Sequence, residues 1–311
     1  MNILFCGTSE FALPILKQVL DSKWNLQGVV TQPDRPRGRG RKMSSPPVKE
    51  YMSGSEIPVY QPGSSQELIE IIDRAQLRPD VIVVVSYGLL LPVPVLELPP
   101  LGCVNLHPSL LPAYRGAAPI QRAIMNGDRL TGITTMYLSK EMDAGDLILQ
   151  EKAEIPEDAT AGDMAGVLAE QGAVLMLKTL AMLQAGTVSR RIQDNEQASY
   201  APPLNKDEGK IGWDQDANGI CNQIRGMNPK PGAYTVLQGR VLKIWGSRVC
   251  NEEIPGCSPG EIVNIDPKVG FSVETGQGQL FLTEVQPAGR QRMTAAEFVR
   301  GYRISPGMRL G

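Results

Sequence analysis

Ile3–Cys6 is a short apolar run closed by Gly7 and Thr8, after which Phe11, Leu13, Ile15, Leu16, Val19 and Leu20 recur at largely helical spacing. Thr8 and Ser9 can cap that helix, so the pattern predicts strand, turn, helix. A second apolar strand is expected over Leu26–Thr31, and Val81–Val85 is the continuous β-branched run of a strand covered on both faces, which favours a parallel sheet. Gly102–Leu106 adds a strand, Ala117–Asn126 reads as a helix ended by Gly127, and Thr131–Leu138 returns to strand-like alternation. Strands alternating with helices predict an open, mostly parallel α/β sheet.

Apolar residues then recur at helical spacing from Thr160 to Ala185, among them Met164, Leu168, Leu175 and Leu180, with Gly186 at the far end. Gln193–Asn205 is polar, contains a Pro pair and has little periodicity, as expected of a surface linker. Beyond a helix around Ala217–Arg225, short strands follow at turn-separated intervals: Val241–Trp245, Glu261–Ile265, Phe271–Glu274 and Gln279–Val285. That pattern predicts a small β-barrel. The expected organisation is a catalytic domain over residues 1–190, a linker over 191–205 and a C-terminal domain over 206–311.

The 311-residue length fits two domains. With 31 Lys and Arg against 33 Asp and Glu, whole-surface attraction to polyanions is excluded as the main binding device, leaving local basic patches. Cys6, Cys103, Cys221, Cys250 and Cys257 are odd in number and form no Cys-x-x-Cys pair, so neither a disulfide framework nor a thiolate metal site is indicated. The longest apolar candidate, Val81–Leu91, is interrupted by Ser86 and Gly88 and falls short of the ~20 residues a bilayer needs. No leader pattern precedes the first strand. A cytoplasmic chain with no membrane partner is expected.

The first turn, Gly7-Thr8-Ser9-Glu10-Phe11-Ala12, supplies one glycine where a dinucleotide fingerprint needs more, and neither a phosphate-binding Gly-x-x-x-x-Gly-Lys loop nor a Gly-x-Ser-x-Gly elbow occurs. The chain has one histidine, His107, which makes a multi-histidine metal site impossible. Asn105 and His107 lie two apart in a strand and so project to one side, near the carboxyl edge where open α/β sheets build their sites. An amide and an imidazolium there could hold an oxyanion; the alternative is a histidine merely satisfied by its neighbours. Asp143, in the turn Lys140–Asp146, would sit at another strand end and could orient the imidazole, raising a pKa that starts near ~6.5. A solvated turn with Gly145 at positive φ is the alternative. In Thr31–Lys42, Arg35, Arg37, Arg39, Arg41 and Lys42 face only Asp34. Its prolines and glycines predict a long basic loop, neither helix nor strand, suited to phosphate contacts or else simply solvated.

These residues also carry a resemblance. Asn105-Leu-His-Pro-Ser-Leu-Leu-Pro112, Met142-Asp-Ala-Gly-Asp146, the arginine-rich loop, Arg115-Gly-Ala-Ala-Pro-Ile-Gln121 and Gln286-Pro-Ala-Gly289 together resemble the methionyl-tRNA formyltransferases, a branch of the folate-dependent formyltransferases, over essentially the full length. The resemblance implies a Rossmann-like first domain and an OB-like barrel. It implies formyl transfer from 10-formyltetrahydrofolate to the free amine of methionyl initiator tRNA, for translation initiation, by a monomer that uses no metal. It assigns Asn105, His107 and Asp143 as catalytic, with Asn105 and protonated His107 holding a tetrahedral oxyanion and Asp143 keeping His107 charged and relaying protons. Ser109, Leu110, Leu111 and Pro112 would border the folate, and Arg35, Arg37, Arg39, Arg41 and Lys42 would contact tRNA, Arg39 foremost.

From Asn205 onward 13 Lys and Arg stand against 11 Asp and Glu, a margin that supports a local patch rather than a basic domain. A sugar-nucleotide N-formyltransferase would share the two-domain design but has no need of the arginine loop. A glycinamide-ribonucleotide formyltransferase leaves the barrel unexplained, as does a formyltetrahydrofolate hydrolase. A non-enzymatic RNA-binding protein leaves Asn105, His107 and Asp143 unexplained.

Overall fold

A computed structural model describes residues 1–37, 42–250 and 256–311, the side chains of Arg37 and Lys42 excepted. Two compact units are present, and neither is contiguous in sequence. The first comprises Met1–Gly116, Thr131–Ala153 and Ala165–Tyr200; the second comprises Ala117–Leu130, Glu154–Met164 and Ala201–Gly311.

The first unit is built on a seven-stranded sheet in the order Leu147–Glu154, Leu130–Tyr137, Cys103–His107, Val81–Val85, Asn2–Gly7, Asn25–Val30, Val59–Tyr60. From Cys103–His107 to Val59–Tyr60 every pairing is parallel, while Leu130–Tyr137 runs antiparallel to Cys103–His107. The strands of the middle have no solvent face: all five residues of Val81–Val85 are buried, as are all five of Cys103–His107. In register, Gly7 stands beside Val85 and Asn105 beside Val84, so at the carboxyl edge His107 extends past the last residue paired with Val81–Val85, while on its other side it stands opposite Thr134.

The long helix Ala161–Ala185 begins at a reciprocal cap: Thr160 Oγ1 accepts from Asp163 N–H, and Asp163 Oδ2 accepts from Thr160 N–H. Among the described residues it is the one helix long and apolar enough to cross a bilayer, although Glu170 and Lys178 interrupt its apolar run. Half of its most apolar stretch is buried. At Gly172 it approaches the sheet so closely that an added Cβ would collide with Leu106 and Ile133. Nearby, the buried hydroxyls of Thr179 and Thr135 hydrogen bond at 2.8 Å.

The arginine-rich segment departs from its reading as a loop without strands. Arg35–Arg37 and Lys42–Ser44 pair antiparallel as a short hairpin, with Arg35 opposite Ser44 and Pro36 opposite Met43. Proline is tolerated in such an isolated two-stranded ribbon, which has only edges. At its root, Asp34 accepts hydrogen bonds from Lys49 Nζ at 2.9 and 2.8 Å and from Gln61 Nε2 at 2.8 Å. Those bonds, Gln61's foremost, hold the Asp34 carboxyl below its ordinary range.

In the second unit the strands Ala233–Leu237, Arg240–Cys250, Gln279–Pro287, Gly270–Glu274 and Ile262–Asp266 form one antiparallel sheet in that order. The C-terminal tail joins its two edges, Leu310 bridging to Leu237 and Arg309 to Glu261. This covers part of the open edge that a curled sheet would otherwise present. Inside lie Trp213, Ile220, Leu242, Phe271, Leu282 and Phe298, and the Trp213 indole N–H donates to Thr235 Oγ1 at 3.0 Å.

Candidate active site at the carboxyl edge of the sheet

Within Cys103–His107, Leu106 packs toward Gly172 of the long helix, so the alternation of a strand sends Asn105 and His107 to the opposite face. Pro108 cannot donate to a ladder and ends the strand there. Both polar side chains are buried, Asn105 9% and His107 4% exposed.

His107 is fixed from one side by backbone. Its Nε2 lies 2.9 Å from the carbonyl oxygen of Tyr114; a carbonyl only accepts, so Nε2 carries a proton and donates. Nδ1 is therefore the nitrogen left for chemistry, and it stands 3.6 Å from Asp143 Oδ2. The same Oδ2 accepts the N–H of Gly116 at 2.8 Å. The three predicted catalytic residues thus occur together, Asn105 and His107 on one strand and Asp143 against the imidazole.

The electrostatics correct one expectation. Asp143 does favour the charged imidazole, as does the Tyr114 carbonyl, but desolvation by burial is larger and pulls the His107 pKa below its ordinary value. In the free protein near neutral pH the ring is consequently neutral, with its lone pair on Nδ1. The turn is also built differently from the solvated alternative: Asp143, not Gly145, takes the left-handed conformation, at φ 51°. Gly145 is required for space, since a Cβ there would overlap the carbonyl oxygen of Tyr137.

The Ser109–Pro112 turn is held to the sheet by its own polar groups. Thr134 Oγ1 donates to Ser109 O at 2.6 Å, Ser109 Oγ donates to Ala113 O at 2.6 Å, and Gln150 Nε2 donates to Leu111 O at 2.8 Å. Leu111 is core, packed with Met136 and Leu147, and Leu110 lies over Gly132. Ser109 is buried, while Pro112 is half-buried. Of the basic residues predicted to meet tRNA, Arg35 is exposed and its guanidinium donates to Gln32 Oε1 at 2.9 Å. Arg37 and Lys42 stand opposite one another in the hairpin, and Arg39 and Arg41 lie outside the described residues.

Other participants gave no sequence signal. Tyr114 contributes a backbone carbonyl, which any residue has. Gln193, from the stretch read as linker, is buried; its Nε2 donates to the carbonyl oxygens of Asp143 and Gly145, both at 2.8 Å, and its Oε1 accepts from Arg115 Nε at 3.1 Å and Nη2 at 2.8 Å. At the neighbouring strand ends Thr8 Oγ1 donates to Tyr87 O and Ser9 Oγ to Ser86 Oγ, both at 2.8 Å. Thr31 Oγ1, Gln32 Nε2 and Tyr87 OH are buried at this edge without a hydrogen-bond partner among the described residues. Among the described residues no group of three His, Cys, Asp or Glu side chains is placed to hold a metal.

Comparison with known proteins agrees with this architecture. The formyl transferase family model matches residues 1–180, and the formyl transferase C-terminal domain matches residues 203–303. A methionyl-tRNA formyltransferase of Moorella thermoacetica is 47% identical over 311 residues, covering 100% of this chain and 99% of its own. One from Acetivibrio thermocellus is 43% identical and covered in full on both sides. Among solved structures, the sugar 3N-formyl transferase WlaRD, determined in the presence of dTDP and 5-N-formyl-THF, superposes with a TM-score of 0.68 at 18% identity, over 94% of this chain and 99% of that one. With full-length identity to such relatives and both domains matched, the chain belongs to the methionyl-tRNA formyltransferases, enzymes of formyl transfer.

Proposed function

We propose that the protein transfers the formyl group of 10-formyltetrahydrofolate to the free amine of methionyl initiator tRNA, using Asn105, His107 and Asp143. The observation that carries the reading is the pairing of buried His107, anchored at Nε2 and open at Nδ1, with Asp143 at the carboxyl edge of the sheet. The folate supplies the activated formyl group. A polar co-substrate fits this edge, because the buried groups of Thr31, Gln32 and Tyr87 offer hydrogen bonds that the described residues leave unused. The Ser109–Pro112 turn contributes a fixed wall, with the Ser109 hydroxyl and the Ser109 and Leu111 carbonyls already engaged.

Neutral His107 is suited to take the proton that the amine sheds on attacking the formyl carbon. Protonation at Nδ1 makes an imidazolium beside Asp143, and that N–H, together with the Asn105 amide, stabilises the charge developing on the formyl oxygen. His107 then returns the proton to the departing nitrogen, so amine and leaving group exchange one proton through one ring atom. No covalent bond to the protein is needed. The basic hairpin, carried on the root formed by Asp34, Lys49 and Gln61, places arginines beyond the Asn25–Val30 strand for contact with the tRNA acceptor end. The second unit's barrel adds further tRNA contacts.

The test is incubation of the purified protein with 10-formyltetrahydrofolate and methionyl initiator tRNA, with uncharged tRNA and a 4-amino sugar nucleotide as parallel acceptors. Tetrahydrofolate release and product mass are measured. Formyl-methionyl-tRNA from the charged acceptor alone is expected; formylated sugar, or release independent of acceptor, overturns the assignment.

A further inference from the structure

Asp143 holds a backbone conformation that a non-glycine residue adopts at a cost, and it does so where its carboxylate must face His107. Something must over-determine that turn. Gly116 N–H fixes the carboxylate end. The backbone end is fixed by one side chain, Gln193, whose amide N–H groups reach the carbonyls of Asp143 and Gly145 on both sides of Ala144. The amide is itself oriented, because its oxygen accepts two hydrogen bonds from Arg115, and Arg115 Nη2 also reaches Asn195 Oδ1 at 2.8 Å. Arg115 is 4% exposed and forms no salt bridge among the described residues, so a buried cation is satisfied through amide oxygens. Arg115 and Gly116 are adjacent: one dipeptide grips the Asp143 turn directly through a backbone N–H and indirectly through Gln193.

We propose that Gln193 is a positioning residue for formyl transfer, holding the Asp143 turn so that its carboxylate meets His107. The inference rests on the reading of Asn105, His107 and Asp143 as the reacting set. Gln193 touches no reacting atom, and its donors, not its acceptor, carry the role.

Gln193→Glu separates the two functions. The carboxylate keeps, and strengthens, the acceptor for Arg115 while replacing two donors by a charge that repels the carbonyls of Asp143 and Gly145. In the full-length enzyme assayed with 10-formyltetrahydrofolate and methionyl initiator tRNA, the variant is expected to lose about 10²-fold in kcat, the cost of misplacing a catalytic group by about an ångström. KM for both substrates should stay within about twofold, Tm should fall less than in Gln193→Ala, and the single-histidine imidazole titration should shift. Gln193→Ala should lose kcat similarly and more of its Tm, because buried Arg115 also loses the Gln193 oxygen and keeps only Asn195 Oδ1 of its two amide acceptors. Wild-type kcat and an unmoved imidazole titration in Gln193→Glu overturn the proposal. Asp143→Asn is the control: if it is inactive while Gln193→Glu is active, the positioning role alone fails, and if it is active, the assignment of the reacting set fails and takes the proposal with it.

Discussion

His107 Nδ1 stands 3.6 Å from Asp143 Oδ2, near enough to attract the ring once it is protonated but outside hydrogen-bond range. The carboxylate therefore favours a proton arriving at Nδ1 without hydrogen bonding to the neutral ring, whose Nδ1 is an acceptor like Oδ2 itself. Because burial outweighs that bias, the folded pKa of His107 lies below the ordinary ~6.5.

The sign for stability follows. Between the lowered folded value and ~6.5 the unfolded chain binds the extra proton, so this histidine's contribution is present above ~6.5 and is lost as the pH falls through that window. Asp143→Asn removes an influence that raises the pKa, so the imidazole midpoint should move further down. As the chain has one histidine, proton NMR of its ring reads this without assignment. A midpoint that rises in the variant contradicts the electrostatic account.

Removing one oxyanion donor typically lowers turnover about 10²- to 10³-fold, and Asn105→Ala and His107→Ala should each do so. Circular dichroism should report an unchanged fold. A near-normal rate from folded His107→Ala would sink the mechanism.

Two glycines of one helix should respond with opposite sign. Gly172→Ala drives a methyl into Leu106 and Ile133 and should destabilise by about 1–3 kcal/mol. Gly166 is exposed, helical, and has nothing within 4 Å of an added Cβ, so Gly166→Ala should stabilise by about 0.4–1 kcal/mol. Denaturant midpoints decide both.

Arg39→Ala should weaken turnover on charged tRNA while slow folate hydrolysis persists; equal losses in the two activities would remove Arg39 from tRNA contact. Binding of tRNA should weaken steeply with salt, with a log–log slope of about −0.9 per duplex phosphate neutralised, and a flat response contradicts phosphate-led docking.

The central strands were legible because burial on both faces leaves an unbroken β-branched run, as in Val81–Val85. Asn105 and His107 were legible because their spacing and the proline after them are local. The net shift of His107 was not, since desolvation depends on what the rest of the chain packs around the ring. Nor was Gln193, whose polar neighbours resemble those of any surface segment until Arg115 is folded beside it. The basic hairpin was missed for a related reason: Pro36 argues against a strand in a sheet interior but not in a ribbon with two free edges.

The stretch from Gln193 to Ser199 completes the first unit, since Ser199 accepts Tyr114 N–H through Oγ and Arg115 N–H through its carbonyl, next to the His107 anchor. This constrains how such chains can recombine during evolution. A gene fusion joined at residue 190 would exchange the barrel together with part of the catalytic scaffold. One joined after Tyr200 would carry the first unit whole, together with Ala117–Leu130 and Glu154–Met164 of the second, so chimaeras should keep an intact catalytic scaffold at the later junction only.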